Sequence, residues 1–131
     1  MEFEVSTTRR EALVDVTRQV AELVRAIGLS AGAAVVSSPH TTAGITVNEN
    51  ADPDVARDIL VGLEALCPRE GDWRHFEGNS DAHLKTALVG SSATLPVTDG
   101  RLALGRWQAI YLAEFDGPRT RRVTVTLLSG L

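Results

Sequence analysis

Regular alternation of apolar and polar residues in the last third of the chain constrains the fold more than any other sequence feature. Asp99 and Gly100 lie between the short apolar stretches LPV and LAL. An Asp-Gly pair in this setting is typical of a two-residue β-hairpin turn, because both residues tolerate positive φ angles. The sequence therefore predicts two antiparallel strands here, with Val97 opposite Leu102.

A second hairpin is predicted near the C-terminus, with residues 116–119 as a four-residue loop. This loop places Glu114 opposite Arg121 and Gln108 opposite Leu127. Because side chains alternate between the two faces of a strand, the same register collects one apolar set on a single face: Ile110, Leu112, Val123, Val125 and Leu127. An antiparallel sheet with one buried face is expected.

The rest of the chain alternates between strand and helix patterns. Strands are predicted at residues 3–8, 12–16, 33–37 and 44–48, the second pairing with the first. Helices are predicted at 18–27, capped by Thr17 and ended by Gly28; from Asp52-Pro53 until Pro68 stops the helix; and from Asn79 or Ser80 to Leu88, after a loop at 69–79. The pattern predicts one α+β domain, a mostly antiparallel sheet or sandwich with about three short helices.

Composition limits the classes of protein that the chain can represent. Its 131 residues suit one domain covering 1–131, and 44% hydrophobic with 23% charged residues is typical of globular proteins. No apolar run reaches the roughly 18 to 20 residues of a membrane span, and the N-terminus MEFEVSTTRR differs from a signal peptide, so a cytoplasmic location without membrane contact is expected. The net charge of -4 disfavours nucleic-acid binding. The single Cys67 excludes an internal disulfide and is expected to serve in packing.

The three histidines lie within or beside an acidic stretch of the chain. His40 follows a predicted strand and precedes two hydroxyl residues, Thr41 and Thr42, whereas His75 and His83 belong to a second polar cluster, HFEGNSDAHL. We expect the three imidazoles to converge on one pocket together with Asp81. Such a set suits a divalent ion such as zinc, and it equally suits metal-free acid–base chemistry. Three unrelated structural histidines are the alternative.

Other polar and aromatic groups carry separate expectations. Asn48 and Glu49 follow a predicted strand and are candidates for the same site, whereas Lys85 is expected to be a solvated helix lysine. Arg121, oriented by Glu114 and joined by Arg119, is predicted to bind an anion, and an ordinary cross-strand ion pair is the alternative. The strand face formed by Trp107, Tyr111 and Phe115 is too apolar for water, so we expect a helix or another subunit to cover it.

The motifs taken together resemble a known family. The segments HTTAGITVNENADPDV, HFEGNSDAHLK, ALVGSS and LPVTDGRLALGRWQAIYLAEFDGPRTRRV are similar to the YjbQ-like family, described as secondary thiamine-phosphate synthases. The resemblance implies a sandwich-like homotrimer and a weak ability to join a hydroxymethylpyrimidine diphosphate to a thiazole phosphate with release of pyrophosphate. It implies catalytic roles for His40, His75, Asp81, His83 and Glu49, and substrate contacts for Thr41, Thr42, Asn48, Asn79, Gln108, Glu114, Arg119 and Arg121.

Two functions stay open at this point. One is a transferase acting on a phosphorylated small molecule, and the other is a non-catalytic trimer that binds a metabolite or metal in the same pocket. The metal, held by His40, His75 and His83, would be zinc, magnesium or manganese, and no organic cofactor is indicated. In a trimer, the site residues need not all come from one chain.

Overall fold

The computed structural model describes residues 1–130, which form two antiparallel sheets and three helices. The larger sheet has the strand order β1-β8-β3-β5-β6, and the smaller sheet has the order β2-β7-β4. The strands are β1 Glu2–Ser6, β2 Ala12–Asp15, β3 Ala31–Ser37, β4 Ala43–Glu49, β5 Ser92–Thr98, β6 Arg101–Leu102, β7 Gln108–Glu114 and β8 Thr120–Ser129. The helices are α1 Thr17–Ile27, α2 Pro53–Leu66 and α3 Ser80–Val89. The predicted α+β class is confirmed.

The hydrophobic core lies between the two sheets. Val36, Val123 and Val125 of the larger sheet pack in one cluster with Ile110 and Leu112 of the smaller sheet. All five side chains are fully buried. The apolar face predicted from the alternation of the C-terminal residues is therefore a true core face, with Leu127 packed at its margin.

The pairing predicted for the last two strands is wrong. β7 pairs with β2 and β4, and β8 pairs with β1 and β3, so the two strands lie in different sheets. Glu114 is opposite Ala12 and Ala43, and Arg121 is opposite Val5. Alternation specifies which side chains are buried, and two strands that face each other across a core satisfy it as well as two neighbours do. The predicted pairing of the first two strands is wrong for the same reason.

Most local predictions are confirmed. Val97 is opposite Leu102, and the turn residues Asp99 and Gly100 have φ angles of 52° and 75°. Gly28 ends α1 with φ 74°, and the Asp52 side chain caps α2 by accepting a hydrogen bond from the Asp54 N–H at 2.9 Å.

Thr17, however, does not cap α1. Its hydroxyl oxygen accepts a hydrogen bond from the Ile110 N–H at 2.9 Å, and its own N–H donates to Asp15 Oδ1 at 2.9 Å. The residue therefore ties α1 to β7, which a local capping rule does not anticipate.

Of the three aromatic side chains predicted to share one face, Tyr111 and Phe115 are buried within the chain, whereas Trp107 is 54% exposed. Phe115 is fully buried in a cluster with Ala82 of α3 and with Leu60 and Leu63 of α2, and Tyr111 is 5% exposed. The prediction that a helix covers this face is confirmed for Phe115, and a contact with another subunit through Trp107 stays a prediction. The apolar side chains that remain exposed on α2, α3 and their connecting loop are Val61, Leu66, Trp73, Phe76, Leu84 and Leu88. Within residues 1–130, no helix combines the length and the apolar character needed to cross a bilayer.

Candidate functional site

His40 lies in the connection between β3 and β4, and hydrogen bonds hold this connection in place. The Ser38 hydroxyl donates to the Ala43 carbonyl at 2.7 Å and accepts the His40 N–H at 3.2 Å. On the ring, His40 Nε2 accepts a hydrogen bond from the Arg122 N–H at 2.9 Å. An accepting Nε2 carries no proton, so the neutral ring has its proton on Nδ1 and offers that N–H as a donor.

The surroundings of His40 favour this neutral form. Burial lowers the pKa of the imidazole below its ordinary value of 6.5, and the positive charges of Arg121, Arg122 and Arg119 lower it further, against an opposing effect of Glu114. Both causes disfavour a second positive charge at this position. At neutral pH, His40 is therefore an uncharged hydrogen-bond donor beside three arginines.

A cavity of about 420 Å³ brings His40 next to α3. It is lined by His40 and Thr41 from one segment, by His83 and Thr86 from α3, and by Ser91 beyond the helix. His83 and Thr86 are three residues apart, so they share one face of the helix. Thr86 is only 7% exposed, and its hydroxyl oxygen is buried without a hydrogen-bond partner in the described chain. The exposed hydroxyl residues of the lining are Thr41 and Ser91.

His83 also borders a second cavity, of about 430 Å³, on its other side. The loop between α2 and α3 supplies Trp73 and His75 to this cavity, and α3 supplies Leu84. The rings of His75 and His83 are 5.5 Å apart and nearly perpendicular, at 89°. His83 thus stands between His75 on one side and the His40 cavity on the other.

Glu114 and Arg121 form an ion pair buried between the sheets. Arg121 donates from Nε to both carboxylate oxygens of Glu114, at 2.9 and 3.1 Å, and from Nη2 to Glu114 and to the hydroxyl and carbonyl oxygens of Thr42. The two side chains are 2% and 0% exposed. The pair is therefore not the exposed cross-strand pair considered from the sequence. Within the described chain, only Nη1 of this guanidinium has no partner.

Further hydrogen bonds stabilise the ionised form of Glu114. Burial alone raises the pKa of this carboxyl, but hydrogen bonds from Arg121, from the Thr7 hydroxyl and from the Asp116 N–H outweigh burial and lower the pKa below its ordinary value. The carboxylate consequently stays charged and keeps Arg121 in one orientation.

Asp81 belongs to a different cluster from the histidines. It receives two hydrogen bonds from Arg10, at 3.0 and 3.1 Å, and one from Lys85 Nζ at 2.9 Å. The Lys85 ammonium also donates to Glu11 and Glu64, and the lysine is fully buried. The prediction that Lys85 is solvated is wrong, because three carboxylates compensate its loss of hydration. The one signal in the sequence is the spacing of Asp81 and Lys85, four residues apart on a helix.

This cluster bears on where a metal ion could bind. Among residues 1–130, the acidic set Glu11, Glu64 and Asp81 brings three oxygen ligands within 4.8 Å of one another, and the Lys85 ammonium occupies its centre. The three histidines do not bring their ring nitrogens together in this way in the described part of the chain. In addition, His40 Nε2 is already hydrogen-bonded to a backbone N–H.

A second group of expected site residues lies at the far end of β4. Glu49 is opposite Gln108, whereas the His40 segment precedes Ala43 at the other end of the strand. The six steps from Ala43 to Glu49 span about 20 Å at roughly 3.3 Å per residue. One chain therefore does not bring Asn48, Glu49 and Gln108 to His40.

The remaining expected residues border the histidine region. Thr42 is buried and bonded to Arg121, and Arg119 is half exposed and donates to Asp116. Asn79 donates from Nδ2 to Asp116 Oδ2 at 2.8 Å, whereas its buried Oδ1 has no partner in the described chain.

Trp73, Thr86 and Ser91 line the two cavities but are not among the site residues predicted from the sequence. Thr86 lies three positions after His83, and this spacing is the only signal that could have pointed to it.

The comparisons with known proteins agree on one family. A family profile described as UPF0047 protein YjbQ-like matches residues 1–130. The chain is 48% identical over 127 residues to the UPF0047 protein YugU of Bacillus subtilis, covering 96% of both chains. A crystal structure of a YjbQ/UPF0047 family protein from Clostridium acetobutylicum superposes with a TM-score of 0.96 at 52% identity, covering 98% of this chain and 99% of the other. A protein from Aeropyrum pernix superposes with a TM-score of 0.94 at 41% identity, covering 99% and 98%. The chain belongs to the YjbQ/UPF0047 family.

Proposed function

We propose that the His40 cavity binds the phosphate portion of a small molecule and that the protein is a transferase of the thiamine-phosphate synthase type. The observation that carries the proposal is the meeting of His40, Thr41, His83 and Ser91 in one cavity of about 420 Å³. Its volume is within the usual range of small-molecule sites, about 300 to 1,000 Å³.

The charges near His40 favour an anionic ligand. Arg119, Arg121 and Arg122 are close enough to lower the pKa of His40, and a phosphate group would be attracted by the same positive potential. Thr41 and Ser91 line the cavity and are exposed, so their hydroxyl groups are able to donate hydrogen bonds to phosphate oxygens.

The proposed reaction exchanges one bond for another. The thiazole nitrogen attacks the methylene carbon of the pyrimidine diphosphate, a C–N bond forms, and the C–O bond to the diphosphate breaks. The electron pair of that C–O bond leaves with pyrophosphate. The attacking nitrogen carries no proton, so the step requires no general base.

The contribution of His40 follows from its protonation state. As a neutral ring with the proton on Nδ1, it donates a hydrogen bond to the diphosphate oxygen on which negative charge develops. The nearby arginines add a positive potential that stabilises the same charge. Among residues 1–130, the three histidines do not form a set of metal ligands within one chain, and hydrogen bonds and positive charge carry the proposed step.

The test is a transfer assay with hydroxymethylpyrimidine diphosphate and thiazole phosphate, with thiamine phosphate and pyrophosphate both measured. We expect product from the wild type. His40→Gln should lower kcat/KM by about a hundredfold, the usual cost of removing a donor to a developing oxyanion. Ser91→Ala, which removes one exposed hydroxyl from the lining of the cavity, should lower it by about tenfold. Arg57→Gln on the exposed surface of α2 is the matched control and should leave the rate unchanged.

Two other results would overturn the transferase. In the first, the wild type binds pyrophosphate and His40→Gln does not, but the two substrates give no product. This result would support the non-catalytic binding protein instead. Absence of both product and pyrophosphate binding would overturn the cavity assignment itself.

A further inference from the structure

The cavity on the other side of His83 has walls that are mainly aromatic and aliphatic. Trp73, His75, His83 and Leu84 surround a volume of about 430 Å³. The two imidazole rings are nearly perpendicular, and the indole of Trp73 belongs to a residue that lines the same cavity. Flat rings pack well against such walls, through stacked or edge-to-face contacts with centroids roughly 4.5 to 7 Å apart.

Trp73 is held in a fixed orientation although it lies in a loop. Its indole N–H donates to the Pro68 carbonyl at 3.2 Å, and its ring lies against Gly71, where a Cβ atom would be 2.6 Å from ring atom Cε2. The side chain nevertheless remains 39% exposed. A loop tryptophan that is restrained and still accessible provides a preformed surface for stacking, since little entropy is lost when a ligand binds to it.

The residues that line the cavity also include hydrogen-bond donors and hydrogen-bond acceptors. Asp72 is a hydrogen-bond acceptor, Arg74 is a donor, and the Ser80 hydroxyl is able to act as either. A heteroaromatic ring with ring nitrogens and an amino substituent has acceptors and donors along its edge, whereas a plain hydrocarbon ring has neither. The combination therefore favours a planar heteroaromatic ligand.

We propose that the Trp73 cavity binds the planar heteroaromatic ring of a substrate, with His83 as the wall between this ring and the phosphate group in the His40 cavity. The choice of a pyrimidine as the ring rests on the proposed function. The existence of the ring site rests on the walls and rim of the cavity alone. One histidine bordering both cavities would place the bond between ring and diphosphate beside its imidazole.

The two tryptophans of the chain allow a direct test. Trp107 lies under the Arg106 guanidinium, 4.9 Å from the ring centroid, and does not line the cavity. In Trp107→Phe, all tryptophan emission comes from Trp73, and in Trp73→Phe all of it comes from Trp107. Each variant is titrated with hydroxymethylpyrimidine that lacks the diphosphate, and calorimetry measures the affinity of the wild type and of Trp73→Ala.

We expect the pyrimidine to quench the emission of Trp107→Phe and to leave that of Trp73→Phe unchanged. Trp73→Ala should bind the pyrimidine at least about tenfold more weakly, equivalent to roughly 1.4 kcal/mol. Cyclohexylmethanol, a saturated ring of similar size, should neither bind nor quench. Pyrophosphate affinity should be the same in Trp73→Ala as in the wild type, because its cavity is on the other side of His83.

Several outcomes would overturn the ring site. Equal pyrimidine affinity of the wild type and Trp73→Ala would do so, as would quenching that the saturated ring reproduces. Emission of Trp73 that depends on protein concentration and not on the pyrimidine would assign the cavity to a contact between subunits. Quenching of Trp73 without any transfer product would leave the ring site intact and overturn only the transferase.

Discussion

Removing the buried cation Arg121 should destabilise the protein strongly. In Arg121→Met, Glu114 stays fully buried and keeps only its hydrogen bonds from the Thr7 hydroxyl, at 2.7 Å, and from the Asp116 N–H, at 3.1 Å. Breaking a buried ion pair from one side costs about 3 to 5 kcal/mol, because the remaining charge has lost its partner. For a chain of this size, about 3 to 5 °C in Tm per kcal/mol is expected, so Tm should fall by roughly 10 to 25 °C.

A lysine at this position should be intermediate. It keeps the positive charge, but its single ammonium cannot bind both Glu114 oxygens and Thr42 as the guanidinium does. We expect Arg121→Lys to lose about 1.5 to 3 kcal/mol, the value of a hydrogen bond to a charged group.

The assay is urea unfolding of the variants at one protein concentration. Arg119→Met is the matched control, since its guanidinium is 51% exposed and its pair with Asp116 should contribute at most about 1 kcal/mol. The double variant Arg121→Met with Glu114→Gln should be more stable than Arg121→Met alone, because no buried charge is then left unpaired. A loss below about 1 kcal/mol in Arg121→Met, or strictly additive effects in the double variant, would refute the reasoning.

The same pair predicts a dependence on pH. The pKa of Glu114 is lower in the folded protein than its ordinary value of 4.5. Its contribution to the free energy of unfolding is therefore fully present above about pH 4.5 and is lost as the pH falls through the folded pKa. The stability difference between the wild type and Arg121→Met should shrink over that acidic range.

Three further predictions follow from other parts of the fold. Lys85→Met should cost about 3 to 5 kcal/mol in urea unfolding, because it leaves three carboxylates close together without their shared ammonium; a stability equal to wild type would contradict this. Gly44→Ala should lower Tm, because a Cβ there would lie 2.5 Å from the Gly90 carbonyl oxygen, whereas Gly62→Ala, with open space around it in α2, should raise stability by about 0.5 to 1 kcal/mol. In an NMR titration, the pKa of His40 should lie below its ordinary value of 6.5. The unfolded chain then binds the proton more readily, so the free energy of unfolding should fall as the pH drops from 6.5 through the folded pKa. A pKa of His40 at or above 6.5 would contradict its role as a neutral donor.

Local sequence patterns predicted several residues of the candidate site but not how those residues are grouped in space. His40, Thr41 and His83 could be predicted as site residues from the sequence, because they are polar residues near the ends of predicted strands and helices. The sequence placed Asp81 in one pocket with the histidines, but its carboxylate accepts hydrogen bonds from Arg10 and Lys85 in a separate cluster. A helix presents neighbouring residues in different directions, and only the packing of the helix decides which direction meets which partner.

Local chemistry in the sequence determined the elements of this protein and the buried face of each. Three features depend only on residues close in sequence and are therefore predictable from it: the Asp99-Gly100 turn, the Asp52 cap and the glycine after α1. The tertiary structure alone decided which strands pair, that the predicted partners Glu114 and Arg121 lie in different sheets and are buried, and that Glu11 and Glu64 surround Lys85. Strand partners and the acids Glu11 and Glu64 come from distant segments, and an alternating strand has the same pattern whether its partner lies beside it or across the sandwich.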